Sequence, residues 1–86
     1  MEFLFFSSAF CEPCMQTRAV LAEMSALVPQ ATVRELDVAN DTEEAERNGI
    51  RNTPTVIVKN ADGVEVFRAA GVPSVAQVLV AAAKAL

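Results

Sequence analysis

The chain has 86 residues, the size of one domain, and 52% of them are apolar, enough to build a core. It has no histidine, tryptophan or tyrosine, which excludes imidazole catalysis and the common histidine metal sites. The formal net charge is −4 and no lysine/arginine block occurs, so neither nucleic acid nor an anionic membrane is expected as a partner.

Phe3-Leu4-Phe5-Phe6-Ser7 is a short apolar run that suits a central strand covered on both faces. The first ten residues are too short to span a membrane, start with Met1-Glu2 and show no signal-peptide cleavage pattern, so a buried strand and a cytosolic protein are expected. Ser7-Ser8-Ala9-Phe10 then leads into Cys11-Glu12-Pro13-Cys14. Pro13 falls in the first turn of a helix, where its missing N–H costs nothing. Ala19, Val20, Leu21, Met24, Leu27 and Val28 repeat at helical spacing, and Pro29 ends the helix. Met15 and Met24 are expected to pack, and Arg18 is expected to face solvent.

Thr32 to Val38 alternates polar and apolar residues and reads as a strand nearer the sheet edge. Asn40-Asp41-Thr42 offers caps for a short helix to about Asn48, with Gly49 as its stop. Val56-Ile57-Val58 and Val64 to Arg68 are strands joined by the turn residues Asn60-Ala61-Asp62-Gly63, an antiparallel hairpin. Gly71 breaks the last strand, and Ser74 caps a helix running through Val75, Val78, Leu79, Ala82 and Leu86. The order is βαβαββα. Its first unit implies a right-handed parallel crossover, and the whole implies an α/β fold with a four-stranded mixed sheet flanked by three helices.

The two cysteines carry the chemistry. They sit where a buried strand hands over to a helix N-terminus, and there the helix dipole and unpaired N–H groups stabilise a thiolate, the reactive form of cysteine. A bond between them closes a tiny loop and constrains little of the unfolded chain, so a structural staple is a poor reading. Two thiols alone cannot complete a four-ligand zinc site. Cys11, at the helix start, is the expected nucleophile; Cys14, one turn on and deeper, is the expected resolving thiol.

Three segments resemble the thioredoxin superfamily over essentially the whole chain. Phe10-Cys11-Glu12-Pro13-Cys14 is similar to its aromatic-Cys-Gly-Pro-Cys centre, with Glu12 in place of glycine. Gly49-Ile50-Arg51-Asn52-Thr53-Pro54-Thr55 resembles the segment leading into its cis-proline, and Gly71-Val72-Pro73-Ser74 resembles its glycine segment before the last helix. The resemblance implies a single thioredoxin-like domain over residues 1–86 and a thiol–disulfide oxidoreductase that reduces protein disulfides. It implies catalytic Cys11 and Cys14, and a substrate surface made by Phe10, Glu12, Pro13, Thr53, Pro54, Gly71 and Val72. Within that surface Pro54 is cis, Thr53 offers its backbone to an extended substrate segment, and Phe10 forms an apolar rim or packs in the core. Glu12 is either a solvated, screened side chain with little effect or a carboxylate that disfavours the neighbouring thiolate and acidic partners. No bound cofactor or metal is implied; electrons come from NADPH through a thioredoxin reductase-type flavoprotein, and the protein acts as a cytoplasmic monomer.

The departures are specific. The family's usual extra N-terminal strand and helix are not represented in these residues, and the chain is closer in size to glutaredoxins and the small archaeal-type thioredoxins. Phe5 stands where a buried aspartate usually does, and Glu35 where its companion lysine does. Glu35 is therefore either a substitute base acting on Cys14 through water or a part-solvated sheet residue. Asn52-Thr53-Pro54 favours protein substrates over glutathione. The alternatives are a glutathione-dependent, glutaredoxin-type reductase and a redox-sensing module that does not turn over.

Overall fold

In the computed structural model, which describes residues Met1 to Leu86, the elements are β1 (Glu2–Ser7), α1 (Glu12–Leu27), β2 (Thr32–Asp37), α2 (Thr42–Arg47), β3 (Thr55–Lys59), β4 (Glu65–Ala70) and α3 (Val75–Lys84). The sheet has four strands in the order β2-β1-β3-β4. β1 runs parallel to β2 and antiparallel to β3, and β3 and β4 form the antiparallel hairpin. The order and mixed topology are those expected from the sequence.

β1 is unbroken in its apolar character because it lies inside the sheet with a layer on each face, and Phe3 to Ser7 are all buried. Alternation sends Phe3 and Phe5 to one face, where they pack with Cys14, Leu21 and Met24 of α1, Val56 and Val58 of β3, and Val78, Ala81 and Ala82 of α3. Leu4 and Phe6 point the other way, onto Leu36, Ile57 and Ala45 of α2. β2 lies at the sheet edge; only Leu36 of its six residues is buried.

The buried stripe of α1 is Cys14, Thr17, Leu21 and Met24, a true helical repeat. It corrects the phase expected from sequence. Ala19 is exposed on the far side, Leu27 is 66% exposed, and Thr17 lies on the buried stripe with its hydroxyl satisfied by the Pro13 carbonyl at 2.9 Å. Met24 is buried as expected, whereas Met15 is 65% exposed and is not a packing residue. A side chain one position past Cys14 is turned about 100° away from the core stripe.

The remaining boundaries follow from local hydrogen bonds. Asp41 is the N-cap residue of α2 but makes no side-chain cap bond; its carboxylate accepts the Asp37 N–H at 3.1 Å instead. The Asn60 side chain accepts the Val64 N–H at 3.0 Å, so Val64 belongs to the turn and β4 starts at Glu65, extending past Arg68 to Ala70. At α3 the Ser74 hydroxyl accepts the Gln77 N–H at 3.1 Å, while Gln77 Oε1 accepts the Ser74 N–H at 2.9 Å, a complete capping box. Ser74→Ala is expected to lower the unfolding free energy by about 1 kcal/mol in urea titration. A change within error would show that the box contributes nothing. No helix is long and apolar enough to cross a membrane.

Candidate active site

β1 ends at the surface, and Ser8, Ala9 and Phe10 turn the chain into α1. Cys11 is the N-cap residue of this 16-residue helix, and its sulfur accepts the backbone N–H of Cys14 at 3.1 Å. A sulfur thus occupies the place usually taken by a serine or aspartate oxygen, at the positive end of the helix dipole. Glu12 and Pro13 fill the first turn and are exposed. Cys14 is 1% exposed and Cys11 is half-buried, so only the first sulfur meets solvent. The two are joined as a disulfide, with Cα atoms 5.2 Å apart.

Phe10 is fully exposed, which settles its two sequence readings in favour of a surface position. Its φ is +56°, the left-handed region that an aromatic residue rarely adopts. Strain of this kind is retained where surrounding structure holds it, and it clusters at ligand-contacting sites.

Two further segments reach the dithiol loop through hydrogen bonds. The Thr53–Pro54 peptide bond is cis, and Pro54 is buried at the start of β3. The hydroxyls of Thr53 and Ser8 are 2.7 Å apart, tying the proline segment to the loop before the cysteines. The Gly71 N–H donates to the Pro54 carbonyl at 2.8 Å, tying in the third segment. Gly71 makes that bond at φ +94°, a conformation a side chain would strain. Val72 beside it is 41% exposed.

Beside Cys11 lies a cleft of about 560 Å3, lined by Cys11, Phe10, Glu12, Met15, Arg18, Glu35 and Asp37 among others. Thr53, Pro54, Gly71 and Val72 are not among its walls. Arg18 faces solvent as expected, yet it is paired. Its Nε donates to Glu35 Oε1 at 2.8 Å and its Nη2 to Oε2 at 2.6 Å, with the guanidinium 5.7 Å from the centre of the Phe5 ring. The Ser7 hydroxyl donates to the same carboxylate at 2.8 Å. The hydrogen bonds from Arg18 hold the Glu35 carboxyl below its ordinary range, against the opposing effect of partial burial, with further help from Ser7. A carboxylate held this way is a weaker proton acceptor than a free one, and its two bonds anchor Arg18.

The lowered Glu35 pKa has a sign. The folded state binds a proton less readily than the unfolded chain, so this stabilisation is present above the unfolded carboxyl pKa and is lost as pH falls through the folded one. Glu35→Gln is expected to be less stable than the parent at pH 7, by a fraction of the loss from a core truncation because the pair is exposed, and to match it in acid. Urea titrations at several pH values would show this; a gap that persists unchanged in acid would rule out the ionised pair as its cause.

Ser8, Ser7, Met15, Arg18 and Asp37 were not among the site residues expected from sequence. The helical positions of Met15 and Arg18, four and seven after Cys11, were a usable signal that they share its side of α1. No group of three or more acidic, cysteine or histidine side chains is placed to hold a metal ion.

A four-stranded mixed sheet with a dithiol capping the first long helix and a cis-proline opening the neighbouring strand defines a thioredoxin-fold dithiol protein. The model of the thioredoxin family matches residues 1–84, and the chain belongs to that family. It is 35% identical to a thioredoxin of Chlamydia muridarum and 32% identical to one of Chlamydia trachomatis, each over 66 residues. The match takes in 77% of this chain and 64% of each relative, so the chain spans under two thirds of their length. Among solved structures, Fasciola hepatica thioredoxin superposes with a TM-score of 0.84 at 21% identity, covering 99% of this chain and 80% of that one. Thioredoxin 1 of Thermosipho africanus gives 0.84 at 18% identity, covering 98% and 92%. At these identities the structural likeness establishes the shared fold.

Proposed function

We propose that this chain is a thiol–disulfide oxidoreductase that reduces disulfides in protein substrates. The observation that carries the reading is the Cys14 N–H aimed at Cys11 Sγ at 3.1 Å from the first turn of α1. In the reduced protein that donor and the helix dipole stabilise a thiolate at Cys11. The Cys11 thiolate attacks one sulfur of a substrate disulfide, forming a mixed disulfide and releasing the other substrate sulfur as a thiolate. The Cys14 thiolate then attacks Cys11 Sγ, forming the Cys11–Cys14 bond and releasing the second substrate thiol. Two electrons pass to the substrate. With Phe5 in place of an aspartate and Glu35 held by Arg18, the Cys14 proton leaves to solvent.

The disulfide is reopened by a separate donor, for which a flavin- and NADPH-dependent reductase of the thioredoxin type is the reading the family favours. In a reducing compartment the net direction is substrate reduction. The exposed Phe10 and Val72, and the Thr53 backbone beside Pro54, form the surface an extended substrate segment meets. The test is NADPH-coupled reduction of insulin, run in parallel with thioredoxin reductase and with glutathione plus its reductase. Activity with thioredoxin reductase that is lost in Cys11→Ser is expected. Activity with glutathione alone would move the protein to the glutaredoxin type, and silence in both, with turnover absent under dithiothreitol, would leave a redox sensor.

A further inference from the structure

The cleft beside Cys11 joins two features. Its rim is apolar: Phe10 is fully exposed and Met15 is 65% exposed, both large side chains left uncovered next to the reactive sulfur. Its side-chain charge is net negative, three carboxylates against one cation. Arg18 is the cleft's cation, and Glu35 takes up its guanidinium in a two-bond pair. Glu12 and Asp37 also line the cleft, and neither has a salt-bridge partner. The carboxylate of Asp41, which accepts the Asp37 N–H, adds a further negative charge beside it.

An occupant of this cleft gains by bringing a cation to Glu12 and Asp37 and an apolar side chain to Phe10 and Met15, while an anion there meets repulsion on both carboxylates. Resting on the oxidoreductase reading above, we propose that the cleft selects protein disulfides whose cysteine is flanked by lysine or arginine together with an apolar residue. Glu12 and Asp37 set the charge preference. Arg18 is already bonded to Glu35, so it is not free to pair with Glu12 or Asp37.

The experiment is a single-turnover measurement that needs no reductase. The reduced protein is mixed with one of two peptide disulfides that share a leucine beside the cysteine and differ only in carrying lysines or glutamates around it. The lysine peptide is expected to be reduced at least about fivefold faster at low salt, the ratio falling towards one at high ionic strength as exposed charges are screened. In the Glu12→Gln/Asp37→Asn double variant the ratio should fall at low salt as well. Equal rates, a faster glutamate peptide, or a ratio unchanged in the double variant would overturn the assignment while leaving the oxidoreductase reading intact. Reduction of neither peptide, with insulin also untouched, would be the failure of that reading, and the preference would fall with it.

Discussion

Cys14→Ser is expected to accumulate a covalent complex with its protein substrate, joined through Cys11. In the proposed mechanism the half-buried Cys11 makes the first attack, and the variant has no neighbouring thiol to resolve the product. Cys14 sits one helical turn away, 5.2 Å between Cα atoms, so in the parent the second attack is intramolecular. A positioned group of this kind acts at an effective concentration far above that of any free thiol, and its loss should lower multiple turnover by more than about 10³-fold. Non-reducing electrophoresis and intact mass would show the protein plus one substrate chain, released by dithiothreitol. Cys11→Ser should trap nothing, because Cys14 is 1% exposed and lies behind the first turn of α1. Trapping by Cys11→Ser instead of Cys14→Ser would reverse the two roles.

Phe5→Ala should cost about 3–5 kcal/mol of folding stability, the range for removing a fully buried phenylalanine. A chain of this length has roughly 4–13 kcal/mol in total, so the substitution takes from about a quarter of that stability to all of it. Phe5 is 1% exposed on the central strand and packs among residues of α1, β3 and α3, so the cavity cannot close by moving one element. Its ring also lies beneath Arg18. The comparison is Phe10→Ala, where a fully exposed ring is removed at no cost to the core and the shift should stay within about 0.5 kcal/mol. Urea midpoints at unchanged slope would measure both. A Phe5→Ala loss below about 1 kcal/mol, or a larger loss at Phe10 than at Phe5, would contradict the packing described.

The contrast between those phenylalanines shows how far the sequence reaches. Phe5 belongs to a continuous apolar run, and such a run is buried wherever the sheet puts it. Phe10 stands alone before a cysteine, and its exposure depends on a positive φ in a connecting loop, which no periodicity encodes. Cys11 and Cys14 were legible because helix entry is a local property: an apolar strand, a proline in the first turn, and a helical repeat behind it. Pro54 was legible only through the resemblance of Gly49-Ile50-Arg51-Asn52-Thr53-Pro54-Thr55 to the thioredoxin segment leading into its cis-proline.

Glu35 and Arg18 mark the other limit. Their pairing requires the parallel register that sets Glu35 opposite Phe5, and a rotation of α1 that turns Arg18 over the same ring. A register slip of one residue would send Glu35 to the opposite face of the sheet. The same rotation left Met15 uncovered, against the expectation that it packs, and brought Thr17 inside. The Ser8–Thr53 contact joins residues 45 apart in the chain. The sequence alone thus determined the element order, the mixed sheet and the dithiol at a helix start, because propensity, capping and spacing act over a few residues. Tertiary structure alone decided which charges neutralise one another beside Cys11 and which apolar side chains remain uncovered there, because both depend on register and helix rotation between elements distant in the chain.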